Sequence, residues 1–318
     1  MLSEMNEYRR RKIPYLFIID FDISDPVIIP LEDAISEGIY YSINGNSNYT
    51  NWLRSRNKIS LIPHPVDFKT YEKAFRQVQE HIRAGNTYLI NLTFETPVGL
   101  NISLEEVFSR SRARYKLLYK DKFTVFSPES FIMINGNEIA TFPMKGTIDA
   151  SLENASEIIM NDKKEMAEHA TITDLLRNDL SIIASDVRVE RYRYIERLVT
   201  DNKSLLQVSS EIRGILCDDA VESPGDLFMK LLPAGSISGA PKKKTVEIIK
   251  EVENHYRGYY TGVFGYDNGT RIESGVVIRY IEQREGEFYY KSGGGITFLS
   301  DMQSEYQEMV DKVYLPLE

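Results

Sequence analysis

The chain has 318 residues, a formal net charge of −9 and a pI near 5.2. This length suits one large domain or two ordinary ones, and the acidic balance argues against a nucleic-acid or anionic-membrane partner. The single cysteine, Cys217, rules out an intramolecular disulfide. No apolar run approaches the length of a membrane span, so we expect no membrane association and a cytoplasmic location.

The first 66 residues contain short apolar segments separated by turn residues. A basic stretch precedes an apolar run at 13–19, but that run contains a proline and ends in acidic residues, so it predicts a strand rather than a signal peptide. Further strands are predicted at 27–29 and 59–62, with a loop over 42–48. These patterns indicate a β-rich start without candidate catalytic residues.

The next segment predicts helices and strands in alternation. A helix is expected over residues 67–84, where apolar residues recur at helical spacing and a glycine follows. A strand at 87–94 and a second helix opened by a capping box at Ser103 come next. Two strands, 115–119 and 123–126, complete this part.

The segment around Lys145 combines a hairpin, a proline and a glycine. An alternating apolar run at 131–134, a turn and Ile139 predict a β-hairpin that leads into Pro143, where the strand should end or become irregular. A lysine held near a sheet end beside Gly146 can be desolvated and lose its proton, which makes it a candidate nucleophile or base. A solvated turn lysine is the commoner alternative.

Glu129 lies in the turn just before this hairpin, between two apolar strands. A carboxylate in such a turn is usually solvated. It is also placed to act as a general acid if the hairpin folds over a pocket.

Two carboxylates mark the start of a central helix. The polar residues 148–162 predict a mobile loop, after which Asp162 should cap a helix running to about residue 178. Glu165 and Glu168 share one face of that helix and could bind a hard cation such as Mg²⁺. Complementation of the helix dipole is the commoner role for carboxylates at this position.

A small-residue loop follows further strands. Strands are expected at 187–193 and 208–212, and a short helix at 223–232. The loop at 231–242 is closed by a proline that opens a helix over 243–253. Such a loop presents backbone N–H groups to an anion, although the spacing is not that of a P-loop.

The last third of the chain is punctuated by glycines. We expect strands at 257–266, at 272–280 containing Arg279, and at 288–292 running into three glycines at 293–295. Three consecutive glycines suggest a place where backbone meets a ligand, with a flexible loop as a nearly equal alternative.

The final helix repeats the carboxylate pattern. Its expected cap is Ser300, and Glu305, Glu308 and Lys312 line one face. Two Glu-x-x-Glu helices, glycine-rich loops and an isolated arginine together favour a metal-assisted reaction on a small carboxylate.

Taken together, these pieces resemble the chorismate-utilising enzymes. The resemblance runs from about residue 67 to the C-terminus. It rests on motifs at 127–129, 143–147, 164–168, 174–179, 235–242, 292–296 and 305–312. It implies an α/β (α+β) fold, a sandwich of two large, mainly antiparallel sheets with helices outside. The whole chain, 1–318, would form a single domain, with 1–66 as a shortened N-terminal part and 67–318 as the catalytic core.

Position 145 implies a particular reaction within that family. Anthranilate synthases carry alanine where Lys145 stands, and a lysine there is similar to component I of aminodeoxychorismate synthase, which makes 4-amino-4-deoxychorismate for p-aminobenzoate and folate. Lys145 would attack C2, and Glu129 would help the C4 hydroxyl leave. Anthranilate synthase and isochorismate synthase are the alternative activities, and an inactive partner-binding subunit is the least favoured.

The resemblance also assigns metal and substrate ligands. Glu168 and Glu308 match Mg²⁺ ligands, with Glu165 and Glu305 as nearby or water-bridged partners. The substrate-binding set it implies is Gly146, Thr147, Tyr260, Gly262, Arg279, Gly293, Gly294, Gly295 and Lys312, of which the last five match groups that hold the chorismate carboxylates.

Some features depart from the family pattern. Leu206 stands where a histidine near the substrate is usual, and Ala234 replaces a common glycine. No glutaminase signature surrounds Cys217, so ammonia should come from a separate glutamine amidotransferase subunit or from free ammonium.

Overall fold

Two antiparallel sheets form the centre of the molecule. The structure is a computed structural model that describes residues 2–50, 58–199 and 204–317. Within these ranges the strands, numbered in chain order, form two nine-stranded sheets. The first sheet contains β1 (Tyr15–Ile19), β2 (Val27–Pro30), β9 (Ser130–Asn135), β10 (Glu138–Thr141), β11 (Met144–Asp149), β12 (Ala184–Val199), β13 (Ser204–Leu216), β15 (Val263–Asp267) and β16 (Arg271–Val276). The second contains β3 (Ile39–Ile43), β4 (Asn46–Ser47), β5 (Leu61–Pro63), β6 (Leu89–Leu100), β7 (Tyr115–Tyr119), β8 (Phe123–Ser127), β14 (Gly239–Ala240), β17 (Tyr280–Arg284) and β18 (Glu287–Thr297).

Strand order brings distant parts of the chain together. The first sheet runs β11-β13-β10-β9-β16-β15-β1-β2, with β12 also paired to β13. The second runs β14-β6-β18-β17-β8-β7-β3-β4, with β5 also paired to β6. Strand β1 therefore lies against β15, with Phe17 opposite Gly265.

The helices cover the outer faces of both sheets. They are α1 (Ser3–Arg10), α2 (Phe68–Arg83), α3 (Leu104–Arg110), α4 (Ala155–Asn161), α5 (Lys163–Ser181), α6 (Asp218–Glu222), α7 (Pro224–Leu231), α8 (Gly235–Ser238), α9 (Lys242–Val252) and α10 (Met302–Asp311), with a 3₁₀ turn at Leu31–Asp33. On β1, Phe17 packs with the helix-side core that includes Phe228 of α7, whereas Leu16 and Ile18 point into the core between the sheets. This alternation explains why β1 is apolar throughout, since both of its faces are buried.

The second sheet is covered in the same way. Helices α2, α9 and α10 pack on β6 and β18 through a core that includes Val78, Ile248 and Met309. Helix α3 packs on the same sheet nearer β7 and β8. The expected sandwich of two large antiparallel sheets with helices outside is confirmed.

Local sequence signals predicted most elements correctly. Helix α2 begins after Asp67, whose side chain accepts from the Thr70 N–H at 2.8 Å, and Ser103 caps α3 in the same way. The strands around the 131–139 hairpin and the helix after Asp162 also lie where expected.

Four predictions, two about loops, one about a strand and one about a helix cap, were wrong. Residues 148–162 are not one loop, because β11 continues to Asp149 and α4 follows; the predicted loop at 42–48 contains the end of β3 and the short strand β4. The predicted strand 272–280 breaks after Val276. The cap of α10 is Asp301, whose carboxylate accepts from the Ser304 N–H at 2.9 Å, rather than Ser300. Pairing of Ile148 and Asp149 with β13, and of β4 with β3, extends strands into the predicted loops, and the Asp301 carboxylate is a stronger acceptor than the Ser300 hydroxyl.

No helix within residues 2–50, 58–199 and 204–317 is long and apolar enough to cross a membrane.

Packing of α1 on α7 gives a test of the fold. A Cβ at Gly225 would overlap the carbonyl oxygen of Leu2, and the Gly225 N–H donates to Asn6 Oδ1 at 2.7 Å. We expect Gly225→Ala to lower the free energy of unfolding by about 1–3 kcal/mol through overpacking. Gly99→Ala, whose Cβ would meet only ordinary contacts, is the matched control. Urea unfolding of both variants measures the difference, and equal stabilities would contradict this account.

Candidate active site

Lys145 lies on a strand that is interrupted and then resumed. Strands β10 and β11 pair with consecutive parts of β13, and the pairing is interrupted at Pro143. The Pro143 carbonyl accepts a hydrogen bond from the Ser210 N–H at 2.9 Å. The irregularity predicted at Pro143 is confirmed. The register then shifts between Lys145 and Thr147, where Gly146 has a φ of 79°. Such a bulge re-aims the neighbouring side chain, here that of Lys145.

Helix α5 presents a carboxylate to this lysine. Lys145 Nζ donates to Glu168 Oε2 at 3.0 Å. The next residue, His169, is buried with Nε2 2.6 Å from Ser210 Oγ on β13. Ser210 therefore joins the strand beside Lys145 to the helix that carries Glu168.

The protonation state of Lys145 differs from the expectation. Burial alone would lower the pKa of its ammonium, but Glu168, with Glu308 and Glu165, more than reverses this effect, so the pKa lies above its usual value. The predicted lowering of the Lys145 pKa was therefore wrong for this arrangement. Sequence spacing could not show that three carboxylates face one lysine.

Helix α10 supplies the second carboxylate pair. Lys312 Nζ donates to Glu308 Oε1 at 2.6 Å and to the Gly293 carbonyl at 2.8 Å. A Cβ at Gly294 would lie 3.3 Å from Glu305 Oε2 and 3.7 Å from Glu308 Oε1. The three glycines are thus part of β18 rather than a loop, and Gly294 leaves room for these carboxylates.

Burial acts differently on the groups of this helix. It lowers the pKa of Lys312, and Arg279 and Lys145 act in the same direction. It raises the pKa of Glu305, whereas for Glu308 the Lys312 ammonium outweighs burial and the pKa falls below its usual value. Lys312, rather than Lys145, is therefore the lysine of this site with a lowered pKa.

Lys164 lies between the two carboxylate helices. Its Nζ is 3.8 Å from Glu168 Oε1 and 3.7 Å from Glu305 Oε1. Glu305 Oε1 is buried and accepts no hydrogen bond. The predicted metal ligands Glu165, Glu168, Glu305 and Glu308 thus share their neighbourhood with ammonium groups.

The donor chemistry of these residues suits a hard divalent cation. All four are carboxylates, the ligands that Mg²⁺ prefers, Glu305 offers an unpaired oxygen, and Gly294 leaves room beside it. Across the part of the chain that the structure describes, no three His, Cys, Asp or Glu side chains already converge on one point as a cation site. Carboxylates that bind one ion here must therefore shift towards each other.

Glu129 lies near the same cluster, since the charges of Lys145, Arg279 and Lys312 act on its carboxyl. Its Oε1 accepts from Ser236 Oγ of α8 at 2.6 Å, and its backbone carbonyl accepts from the Val276 N–H. Burial raises the pKa of the Glu129 carboxyl, against the effects of Ser236, Lys145, Arg279 and Lys312. A carboxyl in this environment is suited to keep its proton, as an acid requires.

Arg279 and Tyr260 complete this side of the pocket. Arg279 lies in the break between β16 and β17 with a φ of 54°, and its Nε is 3.4 Å from the Tyr314 hydroxyl. Tyr260 is buried, which raises the pKa of its phenol, and the charges of Arg279 and Glu129 act on it. Both residues therefore lie near Glu129.

The remaining predicted residues lie nearby, but with local structural contacts. A Cβ at Gly262 would overlap the Ile19 carbonyl, and one at Gly293 would crowd β6, so close backbone packing requires glycine at both. A Cβ at Gly295 would lie 3.9 Å from Lys145 Nζ. Thr147 is exposed opposite Gln207, and Leu206 is buried opposite Ile148. A substrate role for these residues stays a prediction.

Ser236 and Lys164 are site residues that the sequence did not single out. The loop 231–242 was expected to present N–H groups to an anion, whereas it forms the short helix α8 and brings the Ser236 hydroxyl to Glu129. Lys164 is the first residue of the 164–168 motif and precedes Glu168 by four positions on one helix. That spacing could have predicted its contact with Glu168.

Comparison with known proteins matches this arrangement to one family. Residues 32–318 match the family described as chorismate binding enzyme. The chain belongs to this family. It is 46% identical over 317 residues to a Haemophilus influenzae protein described as an uncharacterised PabA-like protein, covering 100% of this chain and 96% of that protein.

Relatives with named activities overlap less. Aminodeoxychorismate synthase component 1 of Escherichia coli is 30% identical over 76% of this chain and 56% of its own length. Anthranilate synthase component 1 of Arthrobacter globiformis is 36% identical over 60% of this chain and 36% of its own length. This chain thus spans about half of the former and a third of the latter.

A solved structure supports the fold. The menaquinone-specific isochorismate synthase MenF of Escherichia coli superposes with a TM-score of 0.72 at 17% identity, covering 98% of this chain and 79% of that chain.

The Ser236–Glu129 bond predicts a pH effect. The pKa of Glu129 is higher in the folded protein than in the unfolded chain, so between these two pKa values the folded protein holds a proton that the unfolded chain has released. The stability that this proton contributes is present below the unfolded pKa and is lost as pH rises through the folded pKa. Ser236→Ala removes a bond that lowers this pKa, so we expect the titration to move to higher pH. Carbon-13 NMR of the labelled Glu129 carboxyl measures it, with Ser236→Thr as the control that keeps a hydroxyl. An unchanged or lower pKa in Ser236→Ala would contradict the prediction.

Proposed function

We propose that the chain converts chorismate and ammonia to 4-amino-4-deoxychorismate, as component I of an aminodeoxychorismate synthase. The observation that carries this proposal is that Lys145 lies close enough to act electrostatically on Glu129, a buried carboxyl with a raised pKa. A nucleophile and an acid are the two groups that displacement of the C4 hydroxyl needs.

Chorismate is a dianion, and the pocket offers cationic groups for it. Arg279, Lys312 and the backbone of 293–295 would hold its carboxylates. Mg²⁺ would be held by Glu165, Glu168, Glu305 and Glu308, and when bound it would neutralise and orient a substrate carboxylate.

The first step needs Lys145 as a neutral amine. Its pKa is raised by Glu168, and this carboxylate, 3.0 Å from Nζ, is the group in contact that can take the proton. Lys145 Nζ then forms a bond to C2, both double bonds of the ring diene shift by one position, and the C4–O bond breaks. Glu129 gives its proton to the departing hydroxyl, which leaves as water.

The second step reverses the displacement. Ammonia forms a bond to C4, both double bonds shift back to their original positions, and the C2–N bond breaks so that Lys145 departs as an amine. The new ammonium loses one proton to the Glu129 carboxylate, which restores the acid. Ammonia would come from a separate glutamine amidotransferase subunit, or from free ammonium in vitro.

Anthranilate formation is the second candidate, favoured by the 36% identity to an anthranilate synthase component. The position that separates the two proposals is Lys145, since the resemblance gives alanine in anthranilate synthases. Mass spectrometry of the products formed from chorismate, Mg²⁺ and ammonium would distinguish them.

The Lys145 variants test the proposed reaction. We expect Lys145→Ala to reduce amination at C4 by roughly 10²–10⁴-fold, the range for losing a positioned catalytic group, while chorismate binding is kept. Lys145→Arg should be no better, because a guanidinium stays protonated. Wild-type protein mixed with chorismate and Mg²⁺ without ammonia should show a covalent adduct at Lys145 in its intact mass. Full amination by Lys145→Ala would overturn the nucleophile, and anthranilate as the sole wild-type product would overturn the function.

The carboxylates give a separate test of the cation. We expect Glu168→Gln and Glu308→Gln each to raise the Mg²⁺ concentration required for half-maximal turnover by about tenfold or more. Each substitution replaces an anionic ligand with a neutral one of nearly the same shape. The control is Glu157→Gln on the exposed face of α4, which changes the net charge equally. Wild-type rates for both site variants at limiting Mg²⁺ would show that the metal assignment is wrong.

A further inference from the structure

Three lysines contact three of the site's four carboxylates, and these lysines are held with different strength. Lys145 and Lys312 donate hydrogen bonds of 3.0 and 2.6 Å to Glu168 and Glu308. Lys164 is 3.7–3.8 Å from its two carboxylate partners, too far for a hydrogen bond, and its side chain is 56% exposed. Lys164 is therefore held by charge alone and can swing into water at little cost.

The position of Lys164 is nevertheless specific. It bridges Glu168 on α5 and Glu305 on α10, two residues that lie more than 130 positions apart in sequence. Glu305 is 3% exposed, and its Oε1 accepts no hydrogen bond, so the Lys164 ammonium is the cation beside a buried oxygen that would otherwise be costly.

The proposed divalent cation would bind the same oxygens. A cation held by Glu168 and Glu305 cannot share that space with an ammonium less than 4 Å from both, because like charges at that distance repel strongly in a partly buried pocket.

We propose that Lys164 is an exchangeable internal counter-ion. It holds the carboxylates of α5 and α10 together in the metal-free protein and must leave before a divalent cation binds, so it lowers the affinity of the site for that cation. This inference rests on the proposed function, because it takes the metal site from it.

The chain offers a matched control in the adjacent lysine. Lys163 is exposed at the first position of α5, and Lys163→Gln changes the net charge by the same amount as Lys164→Gln. Mn²⁺ is the probe, and its free concentration is followed by electron paramagnetic resonance during titration of the full chain, without chorismate.

We expect Lys164→Gln to bind Mn²⁺ about three- to tenfold more tightly than wild type, the range for losing two partly exposed charge contacts, those with Glu168 and Glu305. Lys163→Gln should stay within about twofold of wild type. If wild-type protein binds Mn²⁺ and Lys164→Gln binds it equally or more weakly, Lys164 is not an exchangeable counter-ion. That result would leave the proposed function unaffected. Absence of Mn²⁺ binding in all three proteins would overturn both.

A second readout needs neither metal nor activity. In the presence of a chelator, Lys164→Gln should melt about 1–3 °C below Lys163→Gln, because its carboxylates then lack a counter-ion. Melting temperatures that coincide would contradict the bridging role.

Discussion

Charge compensation within one pocket is the constraint on which the candidate site depends. Four carboxylates from α5 and α10 lie among the ammonium groups of Lys145, Lys164 and Lys312, and the opposite charges compensate one another. The same residue type therefore behaves in opposite ways: carboxylates raise the pKa of Lys145, whereas burial lowers that of Lys312. The bulge at Gly146 and the cap of α5 matter because they bring these charges within reach of each other.

Local signals made much of this predictable from the sequence. Helical spacing and a capping aspartate located α5, and with it the shared face of Glu165 and Glu168. The motif resemblance joined this helix to Lys145. What the sequence could not supply were contacts between elements distant in the chain, such as the Ser236–Glu129 hydrogen bond. The glycines of β18 were ambiguous for the same reason, since their pairing with β6 depends on a strand some 200 residues away.

Family membership and chemistry are separate conclusions here. The match over residues 32–318 establishes the fold and the chorismate-binding class, but relatives of comparable identity have different named activities. Overall similarity does not choose between them, because the identities of 36% and 30% are comparable. The proposed activity rests instead on Lys145, which hydrogen-bonds to Glu168.

The pairing of β1 with β15 has a consequence for biosynthesis. Strand β1 is translated long before one of its neighbours, Val263–Asp267, and Arg9 forms a buried ion pair with Asp267. Contacts of such long sequence separation form slowly, because a large loop must close before they stabilise anything. The first sheet therefore stays open until most of the chain has been translated. In that interval the apolar side chains of β1 lack their native partners and are exposed to contacts with other chains.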